Sequence, residues 1–206
     1  MEQKTSDALQ ARITARLEEL GYTIESFNAD KEYHRADCTG NPSVYCGTYA
    51  KYNNGSLFGQ WIDLTTFDSY DEFHNYCCAL HADEDDPELM MQDYESFPNC
   101  YYDECMGEDG FDKIKLYWEM CEEHKAEAVD AWLSLTCGDD LDGFEEAYQG
   151  EWDSEVEFAE YIFDECYCDV LRSLPRNFTC YIDYKAFARD LFIDDYDYVD
   201  GFVFRR

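Results

Sequence analysis

Apolar positions recur at helical spacing in some segments and alternate in others, and these two periods divide the chain into elements. Leu9, Ile13, Leu17 and Leu20 form a narrow apolar stripe. They predict a helix over 6–20, capped by Ser6 and ended by Gly21. Residues 28–43 read as a polar connector closing on Gly40-Asn41-Pro42-Ser43, so the core is expected to begin after it. Segments 44–52 and 56–64 read as two strands around Asn53-Asn54-Gly55, because Asn-Gly suits the positive φ angles of a tight hairpin turn. Ser69-Tyr70-Asp71-Glu72 fits a capping box, and the helix behind it puts Phe73, Cys77 and Leu80 on one face. Asp83-Glu84-Asp85-Asp86-Pro87 breaks the chain, and 89–94 reads as a third strand. Such a ββαβ unit is about the smallest assembly that buries one sheet face.

The pattern then turns helical over 111–148. Ile114, Trp118 and Cys121 share one face, Val129, Trp132 and Thr136 another, with a turn at 138–143. A second capping box, Ser154-Glu155-Val156-Glu157, opens a helix to about Leu171, with Pro175 beyond it. Segment 179–182 reads as a strand, and Asp183 as the cap of a short helix through Leu191. Residues 198–204 read as a final hairpin turning at Asp200-Gly201. The sum is an α+β chain with two small antiparallel-sheet units flanking a helical middle. No internal repeat or low-complexity stretch stands out.

Charge changes this picture more than any motif. The formal net charge is -33, yet 46% of residues are hydrophobic and 17% aromatic, so the chain can bury a core and is not an acidic disordered tail. Residues 1–42 hold five Lys/Arg against eight Asp/Glu. Between Lys51 and Lys113 there are sixteen acidic residues and no Lys or Arg, and between Lys125 and Arg172 fifteen and none. Solvated faces mix both signs, so two purged tracts predict a one-signed surface. Nucleic acid and anionic membranes are excluded as ligands because both need cationic contacts. A basic protein is the natural partner. The first residues have no apolar signal core and no 18-residue apolar run exists, so a soluble, cytoplasmic chain is expected. The eleven cysteines, an odd number, read as free thiols that serve mostly as small core residues.

Signatures of chemistry are sparse. There is no phosphate-cradling glycine loop, nucleophile elbow or HExxH, so no catalytic residue is assigned and no enzyme is expected. Residues 138–149 place Asp140, Asp142 and Gly143 at EF-hand positions three, five and six. Gly138 and Gln149 then fall where the first and last ligands belong, which rejects calcium. His74, Cys77, Cys78 and His81 lie in one predicted helix and cannot all face one ion. His74 and His81 therefore read as surface or cap residues, and no metal or cofactor is expected. Asn177-Phe178-Thr179 matches a glycosylation sequon that a cytosolic chain does not use.

The acidic residues are the informative constellation. Asp153, Glu157, Glu160 and Asp164 fall on one helical face, with Val156, Ala159, Phe163, Cys166 and Val170 on another. Like charges four apart cost a helix roughly a few tenths of a kcal/mol per pair. The bland reading is a solvated face. The sharper one is a row of carboxylates standing in for phosphates. Expected partner-binding carboxylates are Asp83, Glu84, Asp85, Asp86 and Glu88, then Asp139, Asp140, Asp142, Glu145 and Glu146, then Asp153, Glu157, Glu160 and Asp164. B-DNA carries one charge per ~1.7 Å of axis, so a charge of -33 matches roughly 55 Å of duplex. An elongated chain of three small units spans such a length.

Several segments then point to a family. Val44-Tyr45-Cys46-Gly47-Thr48-Tyr49-Ala50-Lys51-Tyr52-Asn53-Asn54-Gly55 with Gly59-Gln60-Trp61 resembles the opening hairpin of ArdA antirestriction proteins. Gln92-Asp93-Tyr94-Glu95, Leu116-Tyr117-Trp118-Glu119-Met120, segment 181–191 and segment 201–204 resemble later parts of the same family, in order and over about 44–206. The resemblance implies a curved, elongated, dimeric DNA mimic of three small domains, encoded on mobile elements such as conjugative plasmids. It implies binding in the DNA groove of type I restriction-modification enzymes, at the specificity and methyltransferase subunits, and no catalysis. The domains expected are 43–98, 99–148 and 149–206, behind an extension of 1–42. The dimer contact is expected at Tyr181, Tyr184 and Phe187, against the alternative that this segment packs within its own domain. Residues 1–42 depart from the family pattern, and three roles stay open for them: packing element, partner-binding helix or arm. The rival reading of the whole chain is a generic acidic module or chaperone for another basic DNA-binding protein.

Overall fold

The computed structural model describes residues 2–36, 40–138, 141–175 and 178–206, with the side chains of residues 2–6 and Thr179 left out. Helix makes up 56% and strand 16%, with two three-stranded antiparallel sheets, so the class is α+β. Backbone contacts divide the chain into two compact units, residues 1–120 and 121–206. No helix among the described residues is long and apolar enough to cross a membrane.

The first unit opens with α1 (Glu2–Glu19) and α2 (Ile24–Tyr33). Helix α1 starts ahead of the expected Ser6 and ends, as expected, at Gly21, whose φ is +85°. Of its stripe only Leu17 is buried. The connector expected over 28–43 is helical over its first six residues, the end of α2. Thr23 and Ser26 form a reciprocal capping box there, a pairing hidden because Ser replaces the usual Glu or Gln. The core begins before residue 44, not after it. Phe27 is buried against Tyr76 at 5.7 Å, and the His34 ring stacks on Phe67 at 4.0 Å. Burial also holds the His34 imidazole below its ordinary pKa.

Strand β1 (Ser43–Thr48) is central, with β2 (Gln60–Asp63) and β3 (Leu89–Glu95) antiparallel on its two sides. The first strand pair is present, but not the tight hairpin. Between β1 and β2 lies helix α3 (Tyr49–Asn53). Thr48 stops the strand by accepting the Lys51 N–H on its hydroxyl at 3.2 Å. Asn54 has φ -91°, so only Gly55, at +79°, takes the positive φ that a two-residue turn would need twice. The free edge of β2 is closed by the segment after α2. Asp63 N donates to His34 O, Ala36 N donates to Trp61 O, and Arg35 bridges Ile62.

Helix α4 (Tyr70–Leu80) buries Phe73, Cys77 and Leu80 as predicted. Ser69 accepts the Glu72 N–H, but the Glu72 carboxylate reaches past the cap to the Asp68 N–H at 3.1 Å. Helix α5 (Glu108–Glu123) turns Phe111, Ile114, Tyr117 and Met120 inward, so the buried face is centred beside the expected Trp118.

The second unit carries α6 (Ala126–Thr136) and α7 (Phe144–Ala147), and Val129 and Trp132 are buried as expected. Strand β4 (Tyr148–Glu151) was not expected: Tyr148 and Glu151 pair with Phe204 and Phe202 across a bulge at Gly150, whose φ is +101°. The expected single helix from Ser154 is two, α8 (Glu155–Cys166) and α9 (Cys168–Ser173), broken at Tyr167. Residues 179–181 form a 3-10 turn rather than a strand. Asp183 caps α10 (Tyr184–Asp194) by accepting the Ala186 N–H. Strands β5 (Tyr196–Val199) and β6 (Phe202–Arg205) make the predicted hairpin, with positive φ at both Asp200 and Gly201.

The two sheets share one plan. In each, two outer strands joined through helix flank a central antiparallel strand; that strand comes first in sheet one (β1) and last in sheet two (β6). The ten cysteines described are free, but only Cys46, Cys77 and Cys78 are buried, while five are exposed. They are not mostly core residues. The sequon at Asn177 lies outside the described residues.

Candidate carboxylate surface

In the first unit the acidic run follows α4. Asp83 and Glu84 are half-buried, because Lys51 Nζ reaches them at 2.9 and 2.6 Å and Thr48 Oγ1 donates to Glu84 at 2.7 Å. The same ammonium lies 3.0 Å from Nδ1 of His81, a fully buried residue at the C-cap of α4. His81 is therefore a cap residue as expected, but not a surface one, whereas His74 is exposed. Arg12 donates to the Asp83 carbonyl at 2.5 Å and lies 3.5 Å from Asp85. Asp86 and Glu88 are exposed, with no ion pair among the described residues. The run is thus divided: its first half is tied down by cations, and its second half faces solvent.

In the second unit Asp142, Glu145 and Glu146 are exposed, and Glu145 lies 2.5 Å from His124 Nε2. Asp139 and Asp140 lie outside the described residues. Glu123, His124 and Glu145 come close enough to hold a metal ion, as do His81, Asp83 and Glu84. In the latter the Lys51 ammonium already takes the position a cation would need.

The longest row runs onto helix α8. Glu157, Glu160 and Asp164 lie on the helix, whereas Asp153, expected on the same helical face, precedes the Ser154 cap; all four are exposed, and none has a Lys or Arg partner among the described residues. The helix turns Phe158 and Ala159 fully inward, with Val156 and Phe163 half-buried. Cys166 and Val170, expected on the apolar face, are exposed. Glu157 also accepts the Asp153 N–H at 2.8 Å, which steadies the start of the row. The first turn thereby gains negative charge at the positive end of the helix dipole. Burial first, then the fields of Asp164 and Glu160, raise the Tyr184 pKa. Tyr184 and Phe187 both meet the Phe163 ring edge-on, at 5.5 and 5.3 Å, while Tyr181 is 79% exposed.

Reading the sequence alone misses Lys51 and Arg12 as neutralisers of neighbouring carboxylates, and His124 as the close neighbour of Glu145. Lys51 and His81 are thirty residues apart, and no local period announces the pairing. The one available signal is the isolation of Lys51 at the edge of a long tract without cations.

No curated protein matches this chain. A family model described as antirestriction protein (ArdA) matches residues 44–204. The matched span takes in nearly all of both three-stranded sheets, the whole 83–88 run and the whole 153–164 row. It covers most of the 206 residues, and the chain belongs to the ArdA family of antirestriction proteins.

Proposed function

We propose that this antirestriction protein acts without catalysis, as a stoichiometric mimic of DNA that occupies the duplex-binding groove of a type I restriction-modification enzyme. The observation that carries the reading is the α8 row: Glu157, Glu160 and Asp164 exposed along the helix with Asp153 exposed just ahead of its cap, and no Lys or Arg paired with them among the described residues. A helix face under selection for stability alone would mix signs. Here the repulsion is retained, as expected if the row meets Lys and Arg that otherwise hold phosphates. A charge of -33 steers such an encounter from a distance, as duplex DNA does. Asp86 and Glu88 in the first unit and Asp142 and Glu146 in the second are exposed as well, and each adds a carboxylate to the charge offered to such a partner.

The partners in this reading are the specificity and methyltransferase subunits, in the bacterial cytoplasm. A homodimer forms through Tyr181, with Tyr184 and Phe187 behind it. Tyr181 supports that assignment because it is the most exposed of the three aromatic residues. Light scattering at micromolar concentration gives a dimer mass if the assignment holds, and a monomer mass removes it.

The deciding experiment is competition. A purified type I methyltransferase is loaded with labelled duplex, and this protein is titrated in. Displacement with a mutually exclusive isotherm, weakening steeply as salt rises, supports mimicry. A ternary complex holding both DNA and this protein rules it out.

A further inference from the structure

A cleft of about 520 Å³ opens in the first unit between α1 and α2 on one side and the 56–58 loop with the end of α4 on the other. That volume lies within the range of pockets that hold a ligand or a large side chain. Its walls are apolar: Ile13, Leu17, Ile24, Phe27, Phe58 and Leu80. Ile24 is 41% exposed and Phe58 49%, and Leu57 and Leu9 nearby are exposed as well. Contiguous apolar surface left in water marks an interaction site more often than a packing defect. The Phe58 ring is also held in place. Lys51 Nζ lies 5.4 Å from its centroid, and the buried His81 ring meets it edge-on at 5.7 Å.

The rim of the cleft is polar. Asp83 lines it, paired with Lys51, which lines it as well, and Asp83 opens the acidic run that continues to Glu88. Lys51 and Arg12 neutralise part of that run, and Asp86 and Glu88 remain exposed without an ion pair among the described residues. An apolar floor that ends at the start of an acidic run has no counterpart on a phosphate backbone, so duplex mimicry does not account for it. Six of the thirteen lining residues precede residue 44, outside the family match, so one wall of the cleft is supplied by this chain's extension.

We infer that this cleft docks a basic amphipathic segment of a protein partner: a bulky apolar side chain enters between Ile13 and Phe58, and flanking Lys or Arg side chains meet the carboxylates of residues 83–88. The apolar anchor supplies recognition that charge alone does not, because every basic surface attracts carboxylates and only some present a side chain to the cleft. This site is separate from the α8 row and does not rest on the mimicry reading.

The test uses the full chain and three labelled peptides at about 0.15 M salt. The first is a helical Lys/Leu peptide with one apolar face, the second an oligolysine of equal charge, and the third the Lys/Leu peptide with Gln at every Lys. Fluorescence anisotropy reads binding. The first peptide binds at least about tenfold more tightly than either of the others. Ile24→Ser removes part of the wall and Gln10→Trp fills the cleft, and neither alters the charge. Each lowers binding of the Lys/Leu peptide about tenfold and leaves oligolysine binding unchanged. Gln10 is exposed on α1, so its variant keeps the test decisive if Ile24→Ser does not fold. Equal binding of all three peptides, or insensitivity to both variants, overturns the inference. A change in sedimentation mass on either variant assigns the cleft to a second copy of this chain and overturns it equally.

Discussion

Lys51 Nζ lies 3.0 Å from Nδ1 of His81. An ammonium can only donate, so Nδ1 accepts, and the ring proton sits on Nε2, which faces the Cys46 carbonyl at 3.4 Å. Asp83 and Glu84 take the other two ammonium hydrogens. One cation thereby ties α3 to the end of α4 and to the acidic run. The Lys51 side chain is 13% exposed, so its removal takes the ammonium donor from Asp83 and from the buried Nδ1 of His81, and leaves Glu84 with the Thr48 hydroxyl. Lys51→Met is expected to lower unfolding free energy by about 3 kcal/mol. Lys113→Met on the exposed side of α5 should stay within about 0.5 kcal/mol. Urea denaturation followed by circular dichroism compares the two, and equal midpoints would remove the structural role of the network.

Unrelieved repulsion sets the response to salt. A net charge of -33 opposes compaction, and added salt screens it over ~8–10 Å at 0.1–0.15 M. The melting temperature is expected to rise as ionic strength increases from a low value. A flat or falling trend over that range argues against a one-signed surface.

Inhibition should be distributed along α8. Each exposed carboxylate there contributes as one surface ion pair, so Asp153→Asn or Glu160→Gln alone should change apparent affinity less than about fivefold. Changing Asp153, Glu157, Glu160 and Asp164 together should weaken inhibition clearly, and more so at higher salt. A single neutralisation that abolishes inhibition in a folded chain would point to a hot spot instead.

Alkali should unfold the protein through its tyrosines. Burial raises the pKa of Tyr22, Tyr70, Tyr76, Tyr102, Tyr148 and Tyr184. A raised folded-state pKa favours the protonated native form. The stability it contributes is complete below the unfolded value of about 10 and is lost as pH climbs through the higher folded values. Thermal melts should hold steady up to about pH 9.5 and then fall. Tyr76→Phe, which also frees Gln60 Nε2 from its 2.9 Å hydrogen bond, should flatten part of that fall. An unchanged melting temperature through pH 11 contradicts the argument.

Features legible in the sequence share one property: their causes lie within a few residues. Ser69, Ser154 and Asp183 cap helices because a side-chain oxygen needs only the N–H three residues on. Asp200-Gly201 turns a hairpin because the positive φ angles are local. The α8 row is a local period too, and its exposure followed from its spacing. Net charge, the purged tracts and the family itself also needed no coordinates.

Tertiary structure decided what depends on distant partners. Asn53-Asn54-Gly55 has hairpin chemistry, yet Thr48 caps a helix there and Lys51 is drawn to His81, thirty residues on. Tyr148 reads as the end of the helical stretch and 149–151 carry no strand signal until Phe202 and Phe204 offer them a strand to join. Residues 28–36 read as polar linker until Phe67, Tyr76 and the open edge of β2 give them a surface to bury against. Which of Asp83–Asp86 faces solvent was likewise set by Arg12 and Lys51, cations that the fold brings from outside the run. A short segment has too little local preference to outweigh a hydrogen-bonded edge or an apolar face, so its conformation follows whatever the rest of the chain places beside it.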